Sequence, residues 1–393
     1  MMIKQLRLDG FLSFAPGSEP FAMRPLNVLI GPNGAGKSNV LEAFELLAAT
    51  PYDLAAAIRA SGGSANLLWK GEPEAQEAEI DVVLDQGGTP TKRDMRYRMS
   101  FAPVAGRMKL LDEAIEEVTP QPGEDDVYFY YRFQRGDPVL NLRSADGGTV
   151  GRHLQREDLL PDQSVLSQRK DPDQYPEITW LGRRFPAIQF FTEWTFGRHT
   201  PARRAQDTAL PEDQLLPDSR NLALVVNHIE LEGETRIEAL LKEFFPRFER
   251  LRVGIRAGSA ELKWFESGFR APIPAARLSD GTLRFLALLA TLLSPSPPPL
   301  LCVDEPELGL HPDSIALLGE VLVDASTRTQ LVVTTHSDTL VSALSDQPDT
   351  VVVCERLGAS TSLRRLDPER LASWLEDYRL GDLWGMGVLG ANP

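Results

Sequence analysis

Apolar and polar residues alternate through Ile3, Leu6, Leu8, Phe11 and Phe14, which predicts an opening strand or hairpin arm packed beside the next apolar run, Leu26–Ile30. Val40, Leu41, Phe44, Leu47 and Ala48 then recur at helical spacing and predict a helix from 37 to about 49. A short helix broken at Gly62-Gly63 is expected within 52–70. Segments 78–84, 93–101 and 127–134 read as antiparallel strands, separated by Asp85-Gln86-Gly87-Gly88 and by an acidic stretch over 112–126. From 136 to 176 the chain is polar, with Asp146-Gly147-Gly148 and Asp171-Pro172-Asp173, and reads as loop and short helix. Helical spacing returns over 221–229 and 235–245, and 251–256 with 261–265 reads as a hairpin. Buried-strand runs follow at 300–304 and 330–335, joined by a helix beginning at Pro312 that carries Ile315, Leu318, Val321 and Leu322. Beyond these lie strands at 350–355 and 362–366, a helix near 368–378, and a glycine-rich tail. The tail's Leu383, Trp384, Met386, Val388 and Leu389 are expected at the surface, suited to a partner or to packing on the protein itself.

Composition narrows this picture. The 393 residues suffice for one large α/β domain with insertions or for two domains, and 42% apolar with 25% charged residues is ordinary for a soluble globular chain. No signal peptide is evident, and the longest apolar run, 285–293, is too short to span a bilayer, so a cytoplasmic address without membrane contact is expected. Cys302 and Cys354 both sit in strand-like apolar runs and read as small buried hydrophobes. A net charge of −15 argues against a wholly basic nucleic-acid coat but leaves room for a local basic track. Two basic stretches stand out: Lys92, Arg93, Arg96, Arg98, Arg107 and Lys109, and then Arg183, Arg184, Arg198, Arg203 and Arg204. Each fits phosphate contact, and each also fits a solvated face.

Chemistry is densest in Gly31-Pro32-Asn33-Gly34-Ala35-Gly36-Lys37-Ser38, which fits G-x-x-x-x-G-K-[ST] between a strand run and a helix. Glycines let the backbone curl so that successive N–H groups face one concavity that holds phosphate oxygens. The helix start adds the positive end of its dipole, Lys37 supplies a cation for the β- and γ-phosphates, and Ser38 offers a hydroxyl to Mg²⁺. The expected nucleotide-binding set is therefore Gly31 through Ser38 together with Asn39.

A second group lies in the last third. Ser279-Asp280-Gly281-Thr282 opens a long apolar helix whose N-terminus can face an anion. The run Leu300-Leu301-Cys302-Val303 ends in Asp304-Glu305, two acids where an α/β sheet presents ligands. Asp304 is placed to hold Mg²⁺ through its water shell, and Glu305 to orient or deprotonate an attacking water. His336 follows the strand run ending at Thr335 and can donate to a γ-phosphate.

These motifs, in this order, resemble those of an ABC-type ATPase of the RecF/SMC-like branch, and more narrowly the stand-alone bacterial ATPases related to the OLD family. The resemblance covers the two ends of the chain closely and the middle loosely. It implies an α/β P-loop NTPase fold: an ABC-ATPase head with a mixed sheet, a β-rich insertion and a helical lid. Residues 1–50 and 271–393 would form the head and 51–270 the insertion and lid. It further implies ATP and Mg²⁺ as cofactors and a homodimer in which two heads sandwich ATP. Ser279, Asp280 and Gly281 would then face the other head's nucleotide, Glu305 would polarise water, and His336 would sense the γ-phosphate. Asp280 stands where transporters usually carry glycine, which resembles the Ser-Asp-Gly form of the RecF-like branch. Gln189 is the candidate Q-loop residue, with a purely structural role as its alternative. Neither long coiled-coil arms nor the fused nuclease domain of full OLD proteins is expected, since no sustained heptad pattern is visible and the stretch after His336 is short. The expected function is an ATPase whose head dimerisation regulates DNA repair or defence against phage with a separately encoded effector, with weak DNA contact through Arg183, Arg184, Arg198, Arg203 and Arg204. The alternatives are an ATP-bound scaffold that restrains a toxin or nuclease with negligible hydrolysis, and a transporter's nucleotide-binding subunit.

Overall fold

The computed structural model describes all residues except 87–92, 122, 135–136, 144–148, 154–158, 195, 233–235 and 391–393. Lys92, Gly87-Gly88, Asp146-Gly147-Gly148 and Thr235 thus lie outside the described residues. The chain forms two compact units: residues 1–189, 352–365 and 390–393, and residues 190–351 with 366–389.

In the first unit, β1 (Ile3–Asp9), β2 (Phe21–Ala22), β4 (Ala78–Leu84), β5 (Met95–Val104), β6 (Arg107–Glu117), β7 (Phe129–Gln134), β8 (Asp137–Arg143) and β9 (Thr149–His153) make one antiparallel sheet. Its order is β2-β1-β4-β5-β6-β7-β8-β9. One face is a period-two row of buried side chains, among them Leu6, Leu8, Ile80, Val82, Tyr97, Met99 and Phe101. The other face is a ladder of cross-strand ion pairs. Arg96 reaches Asp81 through Nε at 2.9 Å, Arg132 reaches Glu116 at 3.0 Å, and Arg7 pairs with Glu79. This ladder corrects three expectations. The opening strand β1 joins β4 and β2, not the strand Leu26–Ile30. The acidic stretch over 112–126 is no spacer, because Asp112 to Glu117 continue β6, where Glu116 meets Arg96 and Arg132 of the neighbouring strands and Glu117 meets Arg93 just before β5. For the same reason Arg93, Arg96 and Arg98 are engaged by carboxylates and do not form an open basic face. The region 136–176, expected to be loop, also contains β8 and β9, whose pairing compensates for weak apolar patterning.

The remaining elements of this unit surround the glycine loop. Strand β3 (Leu26–Ile30) is wholly buried and leads through that loop into α1 (Lys37–Ala49). Helices α2 (Leu54–Ala60) and α3 (Ser64–Leu67) follow, parted at Gly62-Gly63, and α4 (Val165–Gln168) and α5 (Pro176–Arg184) come after the sheet. A short strand, β10 (Gln189–Phe191), marks the boundary.

In the second unit, β11 (Gln206–Asp207), β12 (Phe248–Arg256), β13 (Ser259–Glu266) and β14 (Ile273–Pro274) form a small antiparallel sheet. Helices α6 (Leu222–Leu231) and α7 (Arg236–Phe244) accompany it, and Phe245 and Phe248 pack on Trp264. Helix α8 (Asp280–Leu292) is buried along most of its length, and β15 (Leu300–Asp304) pairs in parallel with β16 (Gln330–Thr334) across α9 (Pro312–Ala325). Helices α10 (Asp338–Ser342), α11 (Pro368–Leu375) and α12 (Leu380–Gly385) complete it. The tail is not the exposed strip expected: Leu383, Trp384 and Leu389 are buried, because Gly381 lets α12 settle against α10, and only Met386 and Val388 are exposed. The hairpin of β17 (Val351–Leu357) and β18 (Ser360–Arg365) returns the chain to the first unit, where β17 lies between β3 and β18. Among the described residues no helix is long and apolar enough to cross a membrane.

Candidate functional site

The first unit builds the phosphate loop. Gly36 caps α1 at φ 101°, a left-handed backbone, and no side chain caps the helix, so its first N–H groups remain open to an anion. A Cβ on Gly36 would lie 2.5 Å from Thr361 Oγ1 and 2.6 Å from Ser13 Oγ, so only glycine fits. Those hydroxyls form a brace. Thr361 donates to the Ala35 carbonyl at 2.8 Å and contacts Ser13 at 2.6 Å, and Asn39 Nδ2 donates to Ser13 at 2.6 Å. The Trp69 indole holds the hairpin turn through the Ala359 carbonyl at 3.2 Å. Lys37 is buried, with its ammonium donating to the Gly31 carbonyl at 2.8 Å and the Pro32 carbonyl at 3.2 Å, folded back over the loop where a phosphate would sit. Asn33, Gly34 and Ser38 are exposed. Gln189 lies in β10, half-buried, at the end of this unit. Burial pushes the Cys354 thiol up to about 12, against the opposing pull of the Lys37 charge.

The second unit builds an acid centre. Thr334 donates its hydroxyl to Asp304, and the Glu305 N–H donates to the Thr334 carbonyl at 3.1 Å. Glu305 adopts φ 43°, left-handed for a residue with a side chain, which turns the chain sharply off β15. Its Oε1 stands 3.7 Å from His336 Nε2. The adjacent Asp304 and Glu305 thus meet His336, from the end of the next parallel strand, at adjoining strand ends. Glu307, buried, accepts from the Thr335 hydroxyl at 2.7 Å and from the His336 N–H at 2.8 Å.

The same unit holds the Ser279 turn. Ser279 caps α8 by accepting from the Thr282 N–H at 3.0 Å. A Cβ on Gly281 would stand 2.6 Å from the Gly309 carbonyl, so glycine is required where α8 meets the loop after Glu305. Arg203 grips the turn, donating to the Leu278 carbonyl at 2.6 Å and the Ala275 carbonyl at 3.3 Å and pairing with Asp280. Its side chain is only 7% exposed, which corrects its assignment to DNA: the acceptors around it consume the guanidinium. Arg183, Arg184, Arg198 and Arg204 are exposed, with Arg184 over the Trp180 ring and Arg204 donating to the His199 carbonyl. Sequence reasoning missed Ser13, Thr361, the grip of Arg203 on the α8 turn and the role of Glu307. Only Glu307 carried a local signal, as the third acid of Asp304-Glu305-Pro306-Glu307.

A glycine loop with an uncapped helix behind it, and paired acids beside a histidine at parallel strand ends, define a P-loop NTPase of the ABC-head class. Residues 26–342 match the AAA_21 family, described as "AAA domain, putative AbiEii toxin, Type IV TA system", and the chain belongs to that family of ATPases. Among solved structures it is similar to an Smc head bound to the C-terminal winged-helix domain of ScpA, at 16% identity and TM-score 0.56 over 94% of this chain and 99% of that one. A Pyrococcus furiosus Smc head with an extended coiled coil, bound to the C-terminal domain of ScpA, aligns at 16% identity and TM-score 0.56 over 96% and 99%. The Smc head with coiled coil and joint from Pyrococcus yayanosii aligns at 13% and 0.51 over 96% and 99%. At such identities the likeness concerns the fold. No curated protein matches the chain.

Proposed function

We propose that this chain binds ATP with Mg²⁺, hydrolyses it, and closes on a second copy as it does so, so that the nucleotide cycle controls a nucleic-acid process through a separately encoded effector. The observation that carries hydrolysis is the left-handed Glu305, whose carboxylate stands 3.7 Å from His336 and directly follows Asp304. In this reading the phosphate loop and Lys37 would hold the triphosphate, and Ser38 and Asp304 would offer oxygens to Mg²⁺, which would supply charge neutralisation for the transferred phosphoryl group. These donors suit the ion, since Mg²⁺ favours oxygen ligands and takes few from protein when phosphates supply the rest. Glu305 accepts a proton from the attacking water and His336 donates toward the γ-phosphate. Ser279 and Gly281, held by Arg203, present the start of α8 to the nucleotide of the other copy.

The effector reading draws support from the family description, which names a toxin of a type IV toxin–antitoxin system, and from the Smc heads, which are described bound to ScpA. DNA repair or defence against phage is the process such a switch would serve.

Glu305→Gln tests the proposal. It keeps the size of the side chain and removes the base, so turnover should fall by about 100-fold or more while ATP-bound dimers accumulate. A wild type with scarcely any turnover to lose would instead make the chain an ATP-bound scaffold.

A further inference from the structure

We infer that the outward face of the β12–β13 hairpin is a track for the phosphate backbone of nucleic acid, an inference that rests on the nucleic-acid part of the proposed function. Alternation along β13 sends Ala260, Leu262 and Trp264 inward, so the outward residues are Ser259, Glu261, Lys263 and Phe265. Register places these opposite Arg256, Gly254, Arg252 and Arg250 of β12. Gly254 interrupts the arginines, and its missing side chain is used: a Cβ there would meet Lys263 Nζ at 3.0 Å, so the ammonium lies across the gap. Arg250, Arg252, Lys263 and Arg256 consequently form a cationic row on a chain whose net charge is −15.

The row is only partly neutralised. Arg252 reaches Glu238 at 3.1 Å, and two exposed acids accompany the row, Glu261 opposite Gly254 and Glu249 next to Arg250. Neither Arg250 nor Arg256 forms an ion pair among the described residues, and Arg250 is spread over the Phe265 ring at 4.5 Å, which stiffens it without spending its charge. Alternate residues of a strand repeat at about 6.8 Å, twice the rise of about 3.4 Å per phosphate along one DNA strand, so the row can follow a single backbone. Phe265, the apolar residue on this face, is half-buried and lies against the Arg250 guanidinium, so the row presents charge more than insertable apolar surface, which favours a polyanionic strand over a lipid surface.

The test is binding of the full chain to a fluorescent duplex of about 20 base pairs, without nucleotide, between about 50 and 200 mM salt. Wild type should bind with a log–log salt slope of about −3. Arg250→Ala with Arg256→Ala should weaken binding about tenfold or more at low salt and flatten the slope by about two, with the melting temperature unchanged because both side chains are exposed. If wild type binds but that variant binds equally well, while Arg198→Ala with Arg204→Ala loses binding, the track lies elsewhere and only this inference falls. If wild type binds no duplex, or binds only vesicles of anionic lipid, this inference and the nucleic-acid reading fall together, and ATP turnover stands or falls separately on Glu305→Gln.

Discussion

Glu307 holds His336 by its backbone: one carboxylate oxygen accepts the His336 N–H at 2.8 Å and the neighbouring Thr335 hydroxyl at 2.7 Å. The loop following Glu305 is thereby bonded to the strand end that carries the histidine. The loop is tied on its other side to α8, where Arg284 donates to the Leu308 carbonyl at 2.6 Å and Gly281 packs on Gly309. Burial lowers the pKa of Arg284 while the charges of Glu307 and Glu305 pull it up, so these groups share one electrostatic environment. Two hydrogen bonds thus connect α8, through the loop 307–309, to the backbone of His336.

Glu307→Ala should therefore lower kcat about tenfold or more with little change in KM for ATP, since a hydrogen bond to a charged acceptor contributes about 1.5–3 kcal/mol. Glu307→Gln keeps an acceptor oxygen and should restore most of the rate. Steady-state turnover reads the first effect. Hydrogen exchange at the His336 amide reads the cause, with protection lost in the alanine variant and kept in the glutamine one. An alanine variant with native exchange at that amide would show that Glu307 does not hold the histidine.

Arg203 is predicted to act on the α8 turn. Its acceptors are the Leu278 and Ala275 carbonyls, the Phe196 and Gly197 carbonyls at 3.2 Å, and Asp280. Arg203→Ala strips these of a buried donor and should weaken ATP-dependent dimerisation while leaving the salt slope of DNA binding unchanged. Light scattering with and without ATP measures the first, and the duplex titration measures the second. A lower salt slope in Arg203→Ala would return this residue to the nucleic-acid surface.

Local signals made much of this architecture legible. Helix α1 has the bounds its apolar spacing implies, 37 to 49, and Ser279 caps α8 as its place before Asp280-Gly281-Thr282 suggests. What stayed hidden depends on pairing across the chain. Thr361 and Ser13 are 348 residues apart, and nothing in either neighbourhood marks them as a brace for Gly36. The carboxylates of β6 read as a spacer because strand propensity disfavours them, whereas the arginines on adjoining strands make them favourable there. Arg203 shows the same limit: sequence displays its charge but not the carbonyls that consume it.

Gly36→Ala tests the brace. The left-handed backbone at φ 101° disfavours any side chain, and the added methyl would collide with the Thr361 and Ser13 hydroxyls. Destabilisation of about 1–3 kcal/mol should appear in chemical unfolding. Nucleotide affinity should fall more than stability explains, because displacing that brace also moves the Lys37 N–H. Thr361→Val, which keeps shape but removes the bond to the Ala35 carbonyl, should lower affinity with a smaller loss of stability. Equal ATP affinity in both variants and wild type would mean that the loop is set without the hairpin.

Cys354 supplies a prediction at alkaline pH. In the folded chain burial raises its thiol from 9.0 to about 12, so the native state keeps a proton that the unfolded chain releases. Where the unfolded state binds fewer protons, stability falls as pH rises, so this cysteine should contribute a loss that begins near pH 9 and continues toward pH 12. Denaturant unfolding at pH 8 and pH 10 should show wild type losing about 1 kcal/mol more than Cys354→Ala over that interval. A neutral alkylating reagent at pH 8 should leave the native thiol untouched and label it once the chain is unfolded, because the thiolate is the reactive form and the sulfur is inaccessible. The Lys37 charge opposes the shift, so Lys37→Met should leave the onset of the alkaline loss near pH 9 and carry the loss on to higher pH, whereas a loss that ends at the same pH as in wild type would mean that the ammonium does not influence the strand behind the phosphate loop.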